Sequence, residues 1–342
     1  MVMPLLDAVD VGPLGGVRLG PDVICDGFRR DCTVRVQTHV HADHLHDFET
    51  SKGYQEIITS PGSYDLLVTA KNADLPYRRN FAAVPFGKSI RFGSSTITLL
   101  PTNHILGAAQ VQVVVDDGRR LGYSGDFQWP MDSVISCDCL VLDSTHGSPR
   151  YQRQYRQDQV DSQLQELLLR QLRFGPVALR GHTGLLQRAI TLLCGQASVP
   201  VFASDRTIKE YRVYEAHGYP PQELSAFPAT TRFPGVGLVL LRMHERPPAF
   251  IDSNFTRITL SQYISDPREP LLRFSDKDFR VAMSDHAEFA GILEYVSAVA
   301  PKLVLTDNSR GGHAVELARE ISVRLGIPAV PSTFSLNREW GG

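Results

Sequence analysis

Short apolar runs that stop at polar residues dominate the first part of the chain. "DVICDGF" (22–28) and "TVRVQTHV" (33–40) read as strands that end in aspartate and histidine. Ser95–Leu100 alternates apolar and polar positions, and "AQVQVVVDDGRRLGYSGDF" (109–127) predicts a hairpin turning at Asp117-Gly118. "DCLVLDSTHG" (138–147) is another buried strand running into polar residues, and "GSYDLLVTAK" (62–71) is a helix. Near residue 150 the period changes. "YQRQYRQDQVDSQLQELLLRQLRF" (151–174) places apolar residues at 160, 164, 167, 168 and 172, one face of a long helix. Strand 176–180, helix 184–195, strand 200–204 and helix 205–218 follow, the last with Asp205 as its expected N-cap. Strands are expected at 235–242 and 257–264. This βαβα rhythm predicts a second module with a parallel sheet. The chain closes with strand 279–286, helix 287–299, strand 302–308 and helix 312–326.

Composition bounds the class. With 342 residues, 42% hydrophobic and 21% charged, the chain reads as a soluble globular protein longer than one typical domain. It has no apolar run of ~18 residues, so no membrane span is expected. "MVMPLLDAVDVGPLGG" lacks a basic segment before its apolar patch, so the reading is cytoplasmic, without a signal peptide. Five cysteines, Cys25, Cys32, Cys137, Cys139 and Cys194, fit a reducing compartment. Cys137-Asp138-Cys139 lacks the spacing of a zinc knuckle and reads as two core thiols. A net charge of −2 argues against nucleic-acid binding by bulk charge and leaves a local positive groove open.

The densest chemistry lies in "THVHADHLHDF" (38–48). His39 and His41 alternate and point the same way from an extended segment, and Asp43 and His44 follow at once. Such a cluster can supply two neighbouring metal sites, because neutral imidazoles suit zinc and the carboxylate adds a hard oxygen. His104 in "PTNHILGAAQV" and Asp126 in "LGYSGDFQW" offer further ligands. In this order, with Asp26 in "ICDGF", the residues resemble the metallo-β-lactamase superfamily. The resemblance implies an α/β fold, an αββα sandwich with the metal site at one edge between two sheets. It implies that His39, His41 and His104 hold one zinc, that Asp43 and His44 hold a second, and that Asp126 bridges both. Asp26 would orient a histidine through its far ring nitrogen, and His46 would not be a ligand.

Three later stretches resemble motifs A, B and C of the β-CASP nuclease branch: "LVLDSTHGSP" (140–149), "VAMSDHAEFAGILEYV" (281–296) and "LVLTDNSRGG" (303–312). That branch implies a lactamase domain in two parts, 1–150 and 271–342, interrupted by an inserted β-CASP α/β domain, 151–270. Asp143 would be motif A and His286 motif B. A carboxylate on one imidazole nitrogen orients the ring and raises its pKa, leaving the other nitrogen to protonate a leaving alkoxide. Asp43 completes the expected catalytic set. Asp307 stands at motif C, where RNA-processing members carry histidine; it reads either as a replacement metal ligand or as a turn cap. This departure makes the chain most similar to the Artemis-like DNA-repair nucleases. The implied function is a zinc nuclease that hydrolyses DNA, working 5′ to 3′ as an exonuclease in repair or processing. It would hold one or two zinc ions, with manganese or magnesium as substitutes in the second site. An RNA-processing ribonuclease and a non-catalytic nucleic-acid-binding subunit are the competing readings. Ser144, Thr145 and Ser148 suit phosphate oxygens. Thr183 in "RGHTG" precedes a helix and reads as an anion site or an ordinary cap. Arg150, Arg153 and Arg156 either track a backbone or form a solvated face.

Overall fold

Alternation within single strands decides how the first part of the chain is layered. In strand Val34–Gln37, Val34 and Val36 face one way and Arg35 and Gln37 the other. The valines enter a core shared by two sheets, with Val17, Leu19 and Val23 from one sheet and Val111, Val113, Leu121 and Val141 from the other. Arg35 lies on the opposite face, its guanidinium 5.1 Å from the centre of the Phe48 ring. This computed structural model describes residues 3–70, 74–196, 199–229, 233, 235–263, 266–307 and 309–332. Lys71, Ile264 and Asn308, which the sequence pattern assigns to elements, lie outside the described residues.

The chain divides into two compact units, Met1–Gln152 with His286–Gly342, and Arg153–Asp285. The first unit holds two sheets. One runs Val9–Val11, Val17–Leu19, Val23–Cys25, Val34–Gln37, Glu56–Thr59 and Phe81–Ala83, with the last four strands parallel. The other runs Ala329–Pro331, Leu303–Asp307, Cys139–Asp143, Arg120–Tyr123, Ala109–Val115, Ser95–Pro101 and Ser89–Phe92, with the first four parallel. Helices Phe289–Val299 and Ala314–Leu325 cover this sheet through Ile292, Val296, Leu317 and Ile321, packed with Leu140, Leu142 and Val304. Helix Phe48–Tyr54 meets Arg35 on the outer face of the first sheet, and Tyr64 of helix Pro61–Ala70 stacks on Phe81 at 4.6 Å. The layers run helix, sheet, sheet, helix.

The second unit has one sheet, ordered Leu224–Ala226, Val201–Ala203, Leu238–Arg242, Val177–Gly181, Thr256–Leu260, Asp278–Val281 and Leu271–Arg273. The last pair is antiparallel and every other pair is parallel. Helices Leu185–Leu193 and Asp205–Ala216 supply crossovers, and the central strands Val177–Gly181 and Leu238–Arg242 are buried and read as continuous apolar runs.

Two boundaries differ from the sequence pattern for local reasons. The long helix begins at Gln157, not at 151, because Ser148 accepts from Arg150 N over a 3₁₀ turn, Pro149–Tyr151, and Arg156 is extended. Ser204, extended at ψ 153°, holds the N-cap position, and Asp205 becomes the acid of the first turn. Among the described residues no helix is long and apolar enough to cross a membrane.

Candidate metal centre

Strands of both sheets deliver their polar ends to one place. Asp26 follows Val23–Cys25, His39 and His41 follow Val34–Gln37, Asp126 follows Arg120–Tyr123, and Asp143 closes Cys139–Asp143. Within each sheet these strands are parallel, so their carboxyl ends share an edge, where parallel sheets gather their sites. His104 comes from the loop between Ser95–Pro101 and Ala109–Val115. Ala109 N donates to Thr38 O (3.1 Å) and Thr102 Oγ1 to Asp126 O (2.9 Å), which ties that loop to the histidine and aspartate segments. Gly107 lets the loop close in: its φ is +78°, and a Cβ there would lie 2.1 Å from Ser63 N.

One carboxylate oxygen is the centre of the cluster. Asp126 Oδ2 lies 3.2 Å from His44 Nε2, 3.5 Å from His39 Nε2, 3.6 Å from His104 Nε2 and 3.8 Å from His286 Nε2. His41 Nδ1 is 3.0 Å from His104 Nε2. His39, His41, His104 and Asp126 form a group whose ligand atoms lie within 4.8 Å of one another, as do Asp126, Asp143 and His286, and Asp26, His39 and His44. Asp43 is more than half exposed, with its carboxylate 3.8 Å from His44 Nε2. Asp43 and Asp307 belong to none of these groups among the described residues.

Behind the cluster lies a set of buried hydrogen bonds. Asp26 Oδ2 meets His44 Nδ1 at 2.8 Å and accepts from Thr38 Oγ1 at 2.6 Å, while its Oδ1 accepts from Thr38 N and Gln37 Nε2. These bonds hold Asp26 at φ +51°, a conformation non-glycine residues seldom adopt. Gln37 Nε2 also donates to the carbonyls of His39 (2.7 Å) and His44 (3.1 Å). Arg35 donates to His44 O, His46 O, Ser51 Oγ and Gln37 Oε1. On the far side, Asp143 Oδ2 meets His286 Nδ1 at 3.0 Å, and Asp143 Oδ1 accepts from Thr145 N and Oγ1.

The electrostatics suit a cation. Burial, helped by His44, pushes His39 well below the usual histidine range, so its ring is in the neutral, ligating form. Burial alone would raise the Asp126 carboxyl, but the charges of His44 and His286 hold it well below the usual range. Asp26 is also held low, because His44 outweighs the cost of its burial. The decisive atom is His39 Nε2, which is buried and has no hydrogen-bond partner among the described residues. Such an atom costs about 1–3 kcal/mol if left alone. Imidazole nitrogens and a carboxylate converging on it are the donor set of a divalent transition metal.

A model of the beta-lactamase superfamily domain matches residues 30–172, the stretch that carries the histidine cluster, His104, Asp126 and Asp143. That stretch is a metallo-β-lactamase-fold domain. An uncharacterized protein in the lig 3′ region of Acidianus ambivalens is 32% identical over 129 residues, covering 37% of this chain and 91% of that protein. A probable DNA ligase of Opitutus terrae is 28% identical over 309 residues, 84% of this chain. The chain spans only 27% of that relative's length. A crystal structure of a protein of unknown function from Enterococcus faecalis matches with a TM-score of 0.54 at 13% identity, over 82% of this chain and 76% of that one, a likeness of fold.

Each residue expected at phosphate has a hydrogen-bond partner within the chain. Ser144 is buried with its hydroxyl toward Leu142 O, Thr145 bonds Asp143, and Ser148 accepts from Arg150 N. Thr183 lies in the second unit, buried, donating to Glu210, and Gln187 Oε1 accepts from Gly184 N at the helix start. The local geometry there is that of the cap. Asp307 accepts from Ser309 N and from Ser332 Oγ (2.8 Å), also as a turn cap does. Arg156 pairs with Asp158, and Arg153 bonds Gln157. Cys137 and Cys139 are buried, and burial pushes the Cys139 thiol up to about 12, as in core thiols. Arg35, Gln37 and Thr38 were not picked out from the sequence as part of the site. Their only signal was two polar residues alternating with valines directly before the histidines.

Proposed function

We propose that this chain is a zinc-dependent nuclease that hydrolyses phosphodiester bonds of DNA, acting from a 5′ end. The observation that carries the reading is the convergence of four imidazole nitrogens on Asp126 Oδ2, the fourth from His286, whose other nitrogen meets Asp143. His39, His41, His104 and Asp126 would hold one metal, and His44 and Asp43 reach toward a second. A divalent metal there supplies charge neutralisation at phosphorus and a more acidic water. The chain's own groups supply the rest. Asp43, exposed at the rim, accepts a hydrogen bond from the attacking water. Asp143 holds His286 Nδ1, which leaves Nε2 to give a proton to the departing oxygen. Thr145 occupies the other Asp143 oxygen and fixes the carboxylate's orientation.

DNA as substrate is supported by the resemblance to Artemis-like nucleases, by aspartate in place of histidine at motif C, and by a relative bearing the name of a DNA ligase. In this reading residues 151–270 are a β-CASP insertion between the two parts of a lactamase domain, 1–150 and 271–342. The test is digestion of matched DNA and RNA oligonucleotides labelled at either end, with and without a chelator. DNA bearing a 5′-phosphate should be degraded, and the chelator should stop it. RNA cut at an equal or greater rate would replace this reading with a ribonuclease.

A further inference from the structure

Arg310 sits in the turn after strand Leu303–Asp307, far along the chain from the histidine cluster, yet its guanidinium reaches the scaffold of the site. Nε donates to Asp43 O at 3.1 Å, Nη1 to Tyr123 Oη at 3.3 Å, and Nη2 to the carbonyls of Gly15 and Asp26, the latter at 3.4 Å. Four positions that are separate in sequence, Gly15, Asp26, Asp43 and Tyr123, thus meet on one planar fork. Asp26 orients His44; Asp43 carries the exposed carboxylate; Tyr123 ends the strand that leads to Asp126.

A second observation concerns the backbone beside the guanidinium. Gly15 has φ +82°, and a Cβ there would lie 2.5 Å from Arg310 Cζ. The turn leaves room for the guanidinium that no side chain could share. Asp43 needs such an anchor, because its side chain is 55% exposed and stands on a single 3₁₀ turn, Ala42–His44. Its carboxylate is therefore placed mainly through its backbone, and the Asp43 carbonyl is what Arg310 holds.

We infer that Arg310 is a positioning residue of the metal centre: it fixes the Asp43 turn, so that the Asp43 carboxylate is ready for metal and water, and the Asp26 corner, so that Asp26 keeps His44 oriented. This rests on the functional reading above. A competing view treats Arg310 as a like charge that weakens cation binding, and the two differ in sign. Loss of a residue that orients ligands costs typically 10–100-fold in metal affinity or activity. Loss of a repelling charge would tighten binding. A lysine keeps the charge but cannot donate from one rigid fork to several carbonyls.

The experiment compares wild type with Arg310→Lys, Arg310→Met and Gly15→Ala, full-length. Zinc affinity is read by competition with a chromogenic chelator, and kcat and KM are read on a 5′-phosphorylated DNA oligonucleotide. The expected result is a loss of about 10–100-fold in zinc affinity, in kcat or in both for each variant, with KM nearly unchanged. Gly15→Ala should reproduce the defect with Arg310 still present. Should Arg310→Met fail to fold, Arg310→Lys and Gly15→Ala carry the test. Zinc affinity and kcat of Arg310→Lys within about threefold of wild type would overturn the proposal. So would tighter zinc binding by Arg310→Met, or a raised KM at unchanged kcat. Wild type that binds zinc but cuts no DNA would defeat the functional reading, while zinc affinity alone would still decide the role of Arg310.

Discussion

Replacing Arg35 by methionine should unfold the first unit more readily than any surface change nearby. Arg35 is fully buried, and its guanidinium makes bonds of 2.7 and 3.0 Å to Gln37 Oε1, 2.8 Å to His46 O, 2.9 Å to His44 O and 3.1 Å to Ser51 Oγ. Methionine fills similar volume but donates nothing. The His44 carbonyl keeps its bond from Gln37 Nε2, so three acceptors are left alone at about 1–3 kcal/mol each, a simple sum of ~3–9 kcal/mol. Two effects reduce it. His46 is exposed, so its carbonyl can find water, and the variant no longer bears the cost of burying a cation. That cost is real: burial pulls the Arg35 guanidinium down to about 10. What remains is near the value for breaking one partner out of a buried charged interaction, about 3–5 kcal/mol. The assay is urea unfolding followed by Trp129 fluorescence, since Trp129 packs 6.1 Å from Tyr295 within the same unit. Arg35→Lys should recover less than half of the loss, because one ammonium cannot span four acceptors. A loss below about 1 kcal/mol for Arg35→Met would refute the reasoning, for it would mean that these acceptors are satisfied some other way.

Freshly purified protein should contain one to two zinc ions per chain by elemental analysis, and His39→Ala or Asp126→Ala should remove metal and activity together. His286→Ala should keep its metal and lose roughly 10²–10⁴ in rate, with Asp143→Asn losing less; a variant stripped of zinc would make His286 a ligand instead. Asp138, gripped first by Arg120 and also by Lys302, is held well below the usual carboxylate range. Its contribution is therefore present above the unfolded carboxyl value near 3.9 and is lost as pH falls through the folded value. Asp138→Asn should then cost about 1–2 kcal/mol at pH 7, discounted because Arg120 is partly exposed, and less as the pH falls below about 3; an equal cost at both pH values would show that the charge is not what matters.

The histidine cluster was legible because its residue types have no ordinary reason to crowd a strand end. His39, His41, His44, His104 and Asp126 were named from the sequence, and the structure gathers them within a few ångströms. Arg35 and Gln37 were not legible. In "TVRVQTHV" they alternate with valines as solvent-facing residues would, and nothing in that pattern announces the helix Phe48–Tyr54 that covers them. Arg310 was hidden for another reason: its partners at Gly15, Asp26 and Asp43 are backbone carbonyls, which every residue has. Ser144, Thr145 and Ser148 have partners in their own turn that the sequence does not show. Hydroxyls after a strand look available, but short side chains bond their own turn first.

The same contrast explains why the site lies where it does. A sheet-on-sheet core of valine and leucine can be specified by alternation alone, and it needs no partner atoms beyond its own. At the strand ends the requirement reverses. Asp26 at φ +51° and His39 Nε2 with no hydrogen-bond partner among the described residues are each unfavourable where they stand. Such costs persist only where surrounding structure fixes them, and here Arg35, Gln37 and Thr38 do so from behind. A ligand that binds only the folded chain stabilises it by RT ln(1 + [L]/Kd), so tighter binding gives more stability at a given ligand concentration. Metal affinity and the integrity of this edge are therefore linked. The residues that hold the edge without touching metal are accordingly as much a part of the centre as the histidines.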